Sequence, residues 1–194
     1  MLKKYVLIIS SLLLSSNALA QWELVNDKST VNYISTKATT IGEVNSFKKL
    51  NGILKNNGEL SVDIDLSSVE TNIPIRNERI KTMLFNITAF STANISAVLD
   101  PKLFSNLNIG ETYNSAISFN LALQGVSQEI TTDIQIVKLA EDNILAFSLN
   151  PIIINANNYN LLAGIEKLRD IASLPSISPV VPVSFSLVFQ QQKD

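Results

Sequence analysis

The sequence predicts an all-β protein, an antiparallel closed β-barrel of about eight strands with two short helices, and three observations lead to this prediction. Apolar and polar residues alternate through most of the chain, which is the period of a strand with one buried face. Turn residues such as Asn56-Asn57-Gly58 separate these segments at hairpin distance, so neighbouring strands run antiparallel. Several segments are about ten residues long, and strands of that length favour a strongly tilted barrel over a sandwich.

Nine segments carry the strand pattern, and each presents an apolar face. In order, they are Trp22–Val25, Val31–Thr36, Val44–Leu54, Gly58–Leu66, Ala93–Asp100, Ser115–Gly125, Glu129–Val137, Ile144–Leu149 and Val181–Gln190. A barrel of about eight strands either fills with side chains or holds one small ligand. Because the inward faces carry almost no charge, the interior is predicted to be dry and any ligand in it to be mostly apolar.

Two segments change to a helical period. Pro74–Leu84 begins with a proline, which suits the first turn of a helix. In the second segment, Leu161, Ile165 and Leu168 form one apolar stripe, and Pro175 follows the end of the pattern. These segments are the two short helices of the predicted fold.

The first twenty residues have the features of a secretory signal peptide. Lys3 and Lys4 precede the apolar run Tyr5–Leu14, and the small residues of Ala18-Leu19-Ala20 suit signal peptidase. We therefore expect cleavage after Ala20, a barrel domain over residues 21–194, and a periplasmic location in a bacterial cell. No later segment has the roughly 18 apolar residues that a membrane span needs, so stable membrane insertion is not expected.

Composition narrows the possible functions further. Cleavage would lower the basic count from 15 to 13 against 17 acidic residues, which argues against a nucleic-acid partner. The chain has no histidine and no cysteine, which excludes serine–histidine catalysis and zinc sites built from these residues. We expect no cofactor and no enzyme; catalysis would have to use carboxylates, lysine, tyrosine or an oxygen-ligated metal.

Several segments in a fixed order resemble the YceI-like proteins, a family of secreted bacterial proteins. They are Trp22 and Val25, Ser29–Tyr33, Phe47 and Gly52, Val69–Ala97, Leu123–Ile130 and Ala156–Phe185. The match is densest in Val69–Ala97, where Thr71, Arg76, Glu78, Phe85 and Phe90 fall on the family's signature; Asn77 and Arg79 stand where many members have Asp and His. The resemblance implies an extended lipocalin-like barrel that binds a long isoprenoid chain, such as a polyprenyl lipid or a quinone precursor, without catalysis.

The candidate ligand-binding residues are of two kinds. The apolar candidates for a tunnel wall are Phe47, Ile64, Leu66, Phe85, Phe119, Leu121, Phe147 and Phe185, which could instead be ordinary core. Arg76 and Arg79 lie one helical turn apart and could hold a diphosphate or carboxylate head group at the tunnel mouth. Alternatively they belong to a solvated helix face, or Arg76 pairs with Glu78 or Glu70.

Three functional hypotheses stay open at this point. The first is a non-catalytic periplasmic protein that holds an isoprenoid or quinone-like lipid, with a homodimer as one alternative for its assembly. The second is an enzyme acting on a lipid-like substrate through tyrosine or carboxylates, and Asp63 and Asp65 on one strand face are the carboxylate candidates. The third is a stress-related structural protein whose barrel is filled by its own side chains.

Overall fold

Antiparallel pairing closes eight strands into a ring in the computed structural model, which describes residues 21–192. The predicted signal peptide, residues 1–20, lies outside the described residues. The strands are β1 (Gln21–Leu24), β2 (Thr30–Lys37), β3 (Ile41–Phe47), β4 (Leu50–Lys55), β5 (Glu59–Asp65), β6 (Val69–Glu70), β7 (Thr92–Val98), β8 (Thr112–Leu123), β9 (Val126–Ala140), β10 (Asn143–Ser148), β11 (Ile152–Asn155) and β12 (Val180–Gln191). The ring runs β1-β4-β5-β7-β8-β9-β10-β12 and returns to β1, where Trp22 pairs with Gln191. The predicted closed antiparallel barrel is confirmed.

The four remaining strands lengthen the barrel beyond this ring. The second half of β12 pairs with β10 and β1, whereas its first half pairs with β11 and β2. β3 adds to β2, and the two-residue β6 adds to β3. One strand of twelve residues therefore supports both the closed ring and its extension, and it sets the length of the interior.

The sequence prediction was wrong about one strand. Val44–Leu54 was expected to be continuous, but β3 ends at Phe47 and β4 begins at Leu50. Between them, the backbone N–H groups of Lys48 and Lys49 both donate to Ser68 Oγ, at 3.1 and 3.0 Å. This hydroxyl replaces two ladder hydrogen bonds and lets the chain bend.

Both predicted helices are present. Helix α1 (Pro74–Arg79) continues into Ile80–Leu84, a π-turn in which the N–H of Phe85 donates to the carbonyl of Ile80 at 2.9 Å. A four-residue helix that the sequence did not predict, α2 (Lys102–Ser105), precedes α3 (Leu162–Ile171). In residues 21–192, no helix combines the length and the apolar composition needed to cross a membrane.

Helix α3 crosses the π-turn at very close range. A Cβ atom added to Gly164 would lie 2.7 Å from the carbonyl oxygen of Met83 and 2.8 Å from the Cα of Leu84. Because no side chain fits there, glycine lets the two backbones touch. The two helical segments form a cap over the end of the barrel where β12 begins.

The other end of the barrel is closed by packed aromatic rings. Phe104 on α2 is 2 % exposed, and its ring meets the indole of Trp22 edge to face, with the centroids 6.3 Å apart. The ammonium of Lys138 lies 4.8 Å above the same indole. Water is therefore kept out of the interior at this end of the barrel.

Candidate ligand-binding cavity

The interior of the barrel contains an apolar cavity. Its volume, counted as the space open to the centre of a water molecule, is about 210 Å³. Every side chain that lines it is aliphatic or aromatic, because the strands present alternate residues inward and those residues are apolar. An apolar cavity of this kind stays dry and suits a hydrocarbon better than a polar ligand.

The cavity extends along most of β12. Along β12 the lining residues are the alternate positions from Val181 to Phe189, which span about 26 Å at the rise of a β-strand. Phe104, in the aromatic closure, lines the far end. This shape matches a single extended hydrocarbon chain.

The structure brings seven of the eight apolar candidates together on the cavity wall. These are Phe47, Ile64, Leu66, Phe85, Phe119, Leu121 and Phe185. The rings of Phe47 and Phe85 have centroids 6.0 Å apart, and Tyr33 approaches Phe47 at 5.5 Å. The candidates on strands point inward as the alternation predicted, whereas Phe85 is placed on the wall by the π-turn that it ends. Contact of all seven residues with a ligand stays a prediction.

The predicted inward orientation of Phe147 is wrong. Ile144 and Ala146 of β10 line the cavity, and side chains alternate along a strand, so Phe147 points to the opposite face. The error has a physical reason: β10 is apolar on both faces, and the small Ala146 occupies the inner one.

A second, more polar cavity of about 290 Å³ adjoins the first, and we call it the vestibule. Its polar lining residues are Ser35, Lys37, Glu43, Asn45, Thr71, Arg76, Arg79 and Ser178. Tyr33, Leu84, Ile165 and Val181 line both cavities. These shared residues place the vestibule directly beside the apolar cavity, between the helical cap and strands β2 and β3.

The inner face of the β2–β3 hairpin changes from apolar to polar toward the vestibule. On β2, Val31 lines the apolar cavity and Lys37 the vestibule, with Tyr33 at the junction. On β3, Phe47 faces the apolar cavity and Asn45 the vestibule. Tyr33 and Asn45 are direct cross-strand partners, so the polarity changes at the same level on both strands.

Arg76 is held by partners within the chain. Its Nη2 donates to the carbonyl oxygen of Thr71 at 2.7 Å, and its Nη1 pairs with the carboxylate of Glu43. The same carboxylate accepts from Lys37 at 2.8 Å. The Lys37 hydrogen bond and the Arg76 charge together hold the pKa of Glu43 below its usual range, against the opposing effect of burial.

The alternative partners predicted for Arg76 are wrong. Glu78 pairs with Lys81 at 2.9 Å, and Glu70 accepts a hydrogen bond from Asn77 at 3.0 Å. Glu43, the observed partner, lies on a strand far away in sequence, so helical spacing could not reveal it. Arg79 also lines the vestibule, half-buried, and its guanidinium makes no ion pair within residues 21–192.

Within the described part of the chain, three buried side-chain polar atoms lack a hydrogen-bond partner, and all three belong to vestibule residues. They are the hydroxyl of Tyr33, Oδ1 of Asn45 and Nε of Arg76. Burial raises the pKa of Tyr33 well above its usual range, although the charge of Arg76 opposes this, so the phenol stays protonated. Buried polar atoms are normally paired, so this concentration marks a place where a polar group of a ligand or water fits.

Tyr33 and Asn45 were not predicted to be site residues from the sequence. A signal was present: alternate residues of Val31–Lys37 change from valine through tyrosine and serine to lysine, a polarity gradient along one strand face. Predicting Asn45 as a site residue would have required the pairing register of β2 and β3, which cannot be deduced from the sequence.

The carboxylates considered for catalysis lie outside both cavities. Asp63 and Asp65 alternate with Val62 and Ile64, which line the apolar cavity, so the two carboxylates face away from it. Asp63 accepts a hydrogen bond from Asn94 at 2.8 Å, and Asp65 accepts from the backbone of Ser67 at 2.8 Å. Residues 21–192 also hold no cluster of three acidic side chains placed to bind a metal ion.

Comparison with known proteins agrees with this architecture. A family model described as the YceI-like domain matches residues 22–189. A structure described as a polyisoprenoid binding domain from Saccharophagus degradans, implicated in plant cell wall breakdown, is 35% identical, with a TM-score of 0.86 over 88% of this chain and 98% of that one. No curated protein matches significantly.

Two more distant structures share the fold. Burkholderia cenocepacia BcnA is 16% identical, with a TM-score of 0.66 over 85% of this chain and 98% of its own. The Campylobacter jejuni YCEI protein is 14% identical, with a TM-score of 0.54 over 77% of this chain and 85% of its own. The extended barrel is therefore maintained although most residues differ.

Proposed function

This chain belongs to the YceI-like family, and from that membership we propose that it is a non-catalytic lipid-binding protein that holds one long apolar tail in its barrel. The ligand is an isoprenoid-like or quinone-like lipid, or another amphiphile of similar shape. We place the protein in the periplasm, after removal of residues 1–20, as the sequence predicts.

The observation that supports this proposal best is the adjacency of the two cavities. An apolar channel, lined along about 26 Å of β12, lies beside a vestibule with charged and amide side chains, and we infer that the vestibule is its mouth. An amphiphile has the same division between tail and head. Removing a tail from water is favourable by about 25 cal/mol for each Å² of apolar surface, so a long tail gains the most.

The relative from Saccharophagus degradans supports an isoprenoid tail in particular. It is described as a polyisoprenoid binding domain, and it covers 88% of this chain at 35% identity. Pairing of two chains stays a prediction, which sedimentation of the purified protein would test.

The enzyme hypothesis has less support. Burial raises the pKa of Tyr33 and keeps the phenol protonated, so it is a poor general base, and Asp63 and Asp65 face away from the cavities. The filled-barrel hypothesis predicts a different result from the carrier hypothesis: it predicts that no lipid is recovered with the protein.

Mass spectrometry of an organic extract from the purified protein tests the proposal directly. We expect a stoichiometric lipid with a long apolar chain. Leu121→Trp places an indole in the channel, and we expect it to reduce lipid recovery at least about tenfold while overpacking costs about 1–3 kcal/mol of stability. Asn120→Trp is the matched control, because Asn120 is the exposed neighbour on the outer face of β8.

The proposal is overturned by either of two results. One is a wild-type protein that yields no lipid and binds none of the polyprenol, fatty amide or ubiquinone added to it. The other is an L121W variant that folds and carries as much lipid as the wild type and N120W.

A further inference from the structure

We infer that the vestibule selects lipids whose head group is uncharged and both donates and accepts hydrogen bonds, such as a primary alcohol or a primary amide. Quinones, which only accept, and diphosphates, which are anionic, are disfavoured. This inference rests on the proposed function, since it concerns the head of the lipid whose tail fills the channel.

The three unpartnered atoms define what the head group must offer. The Tyr33 hydroxyl can donate, and Arg76 Nε can only donate, so both are satisfied by an acceptor on the ligand. Asn45 Oδ1 can only accept, so it needs a donor. A hydroxyl or a primary amide offers both a hydrogen-bond donor and an acceptor within one small group.

The three atoms belong to one site. Tyr33 and Asn45 face each other across the β2–β3 ladder, and the charge of Arg76 acts on the Tyr33 phenol. Arg76 is tied to Glu43, two residues from Asn45 on the same inner face of β3. One small head group at the junction of the two cavities is therefore in a position to meet all three residues.

The orientation of the Asn45 amide is fixed by its neighbours. Its Nδ2 donates to Ser35 Oγ at 3.1 Å and to the backbone carbonyl of Glu43 at 3.2 Å. Turning the amide over would place Oδ1 against that carbonyl oxygen, with no hydrogen between them. Oδ1 therefore remains the acceptor in this site. Since Asn45 is 3 % exposed, an acceptor-only quinone would leave it buried and unpaired.

An anionic head group is the competing occupant. Lys37, Arg76 and Arg79 line the vestibule, and Glu43 supplies the one carboxylate among its lining residues in the described range 21–192. However, Lys37 and Arg76 are both engaged with Glu43, and the remaining terminal nitrogen of Arg76 is bound to Thr71. A phosphate at Tyr33 and Asn45 would approach the Glu43 carboxylate and the Asn45 oxygen lone pairs. Arg79 has no such partner among the residues that the structure describes, so it is the cation that an anion would use.

Competition binding with ligands of equal tail length tests the inference. The probes are a polyprenol, a long-chain primary amide, a ubiquinone and a polyprenyl diphosphate, each displacing the same fluorescent fatty probe. We expect the alcohol and the amide to bind at least about tenfold more tightly than the quinone and the diphosphate. This ratio of affinities corresponds to leaving one buried polar group without a hydrogen-bond partner. Asn45→Leu should remove the preference for the alcohol over the quinone, whereas Tyr33→Phe should weaken the alcohol, the amide and the quinone similarly.

The possible failures are distinguishable. If all four ligands bind equally to the wild type, the head group is not recognised and the inference is wrong, while the proposed function stands. If the diphosphate binds most tightly and Arg79→Met removes its advantage, the vestibule recognises an anion and the inference is also wrong. If none of the four binds, the proposed function itself fails. The wild-type comparison needs no variant, so an Asn45→Leu protein that does not fold leaves the test intact.

Discussion

Arg76 on α1 and Glu43 on β3 form an ion pair, 2.5 Å from Nη1 to Oε2, that attaches the helical cap to the mouth of the barrel. Lys37 approaches the same carboxylate oxygen at 2.8 Å. Glu43→Gln keeps the size of the side chain and removes its charge, leaving two cations without their shared partner. Since the carboxylate is about two-thirds buried, we expect a loss of about 1–2 kcal/mol in unfolding free energy at pH 7, measured by denaturant titration.

The same substitution has a defined pH dependence. The pKa of Glu43 is lowered in the folded protein, first by the Lys37 hydrogen bond and then by Arg76. Its stabilisation is therefore complete above the usual glutamate pKa and is lost as the pH falls through the lower, folded value. We expect the wild type and E43Q to converge in stability as the pH is lowered from 7 to 3. Glu59→Gln, at an exposed pair with Lys55, is the control and should change little at pH 7.

Asn77→Asp tests the network beneath α1. Oδ1 of Asn77 accepts from the backbone and the hydroxyl of Thr71, at 2.9 and 2.6 Å, while Nδ2 donates to Glu70. An aspartate keeps the acceptor but places a second carboxylate against Glu70 in a buried position. The pKa of that aspartate would be raised in the folded state, so its penalty grows with pH.

We therefore expect N77D to be clearly less stable than the wild type at pH 7 and closer to it at pH 4, by thermal unfolding at both values. Asn157→Asp changes an exposed side chain in the same way and should show no such trend. If the difference in stability between N77D and the wild type were the same at pH 7 and pH 4, Glu70 and residue 77 would not interact electrostatically.

Gly164→Ala tests the close crossing of α3 on the π-turn. Alanine normally favours a helix over glycine by about 1 kcal/mol. Here its Cβ would lie 2.7 Å from a carbonyl oxygen, so α3 must shift, and we expect a net loss of about 1–3 kcal/mol. Gly42→Ala is the control, because the nearest atom to its added Cβ is 3.8 Å away, on Ile34. If G164A were as stable as the wild type, α3 and the π-turn would leave room for a Cβ atom at residue 164.

Phe104→Ala tests the aromatic closure at the far end of the channel. Removing this buried ring should cost about 3–5 kcal/mol, measured by denaturant titration. It should also lengthen the channel, so we expect the folded variant to retain longer-chain lipids than the wild type in organic extracts. Tyr113→Ala, at an aromatic ring that is 48 % exposed, should affect neither property. An unchanged lipid profile in folded F104A would mean that the tail does not reach Trp22.

The sequence was sufficient to predict the barrel and most of its wall, because one buried face imposes alternation on every strand. The prediction was wrong where that rule is ambiguous. On β10 both faces are apolar, so Phe147 was assigned to the wrong one. Likewise, Lys48 and Lys49 bend the chain through hydrogen bonds to Ser68, a distant residue.

The vestibule was predicted less completely than the channel. Arg76 and Arg79 were found from their charge and spacing, but the role of Arg76 depends on Glu43, whose proximity requires the docking of α1 on β3. Tyr33 and Asn45 are ordinary strand residues in the sequence. They are distinguished by the register that places them opposite each other, and by polar atoms that find no partner within residues 21–192.

The pairing of β1 with β12 also has a consequence for the order of folding. These are the first and last strands of the described chain, so the ring cannot close until β12 has been synthesised. Until then the nascent sheet has two unpaired edges, which can pair with other chains. Contacts between such distant segments also form slowly. We therefore expect the refolding yield to fall as protein concentration rises. Until β1 and β12 pair, their unpaired edges can bind other chains and cause aggregation.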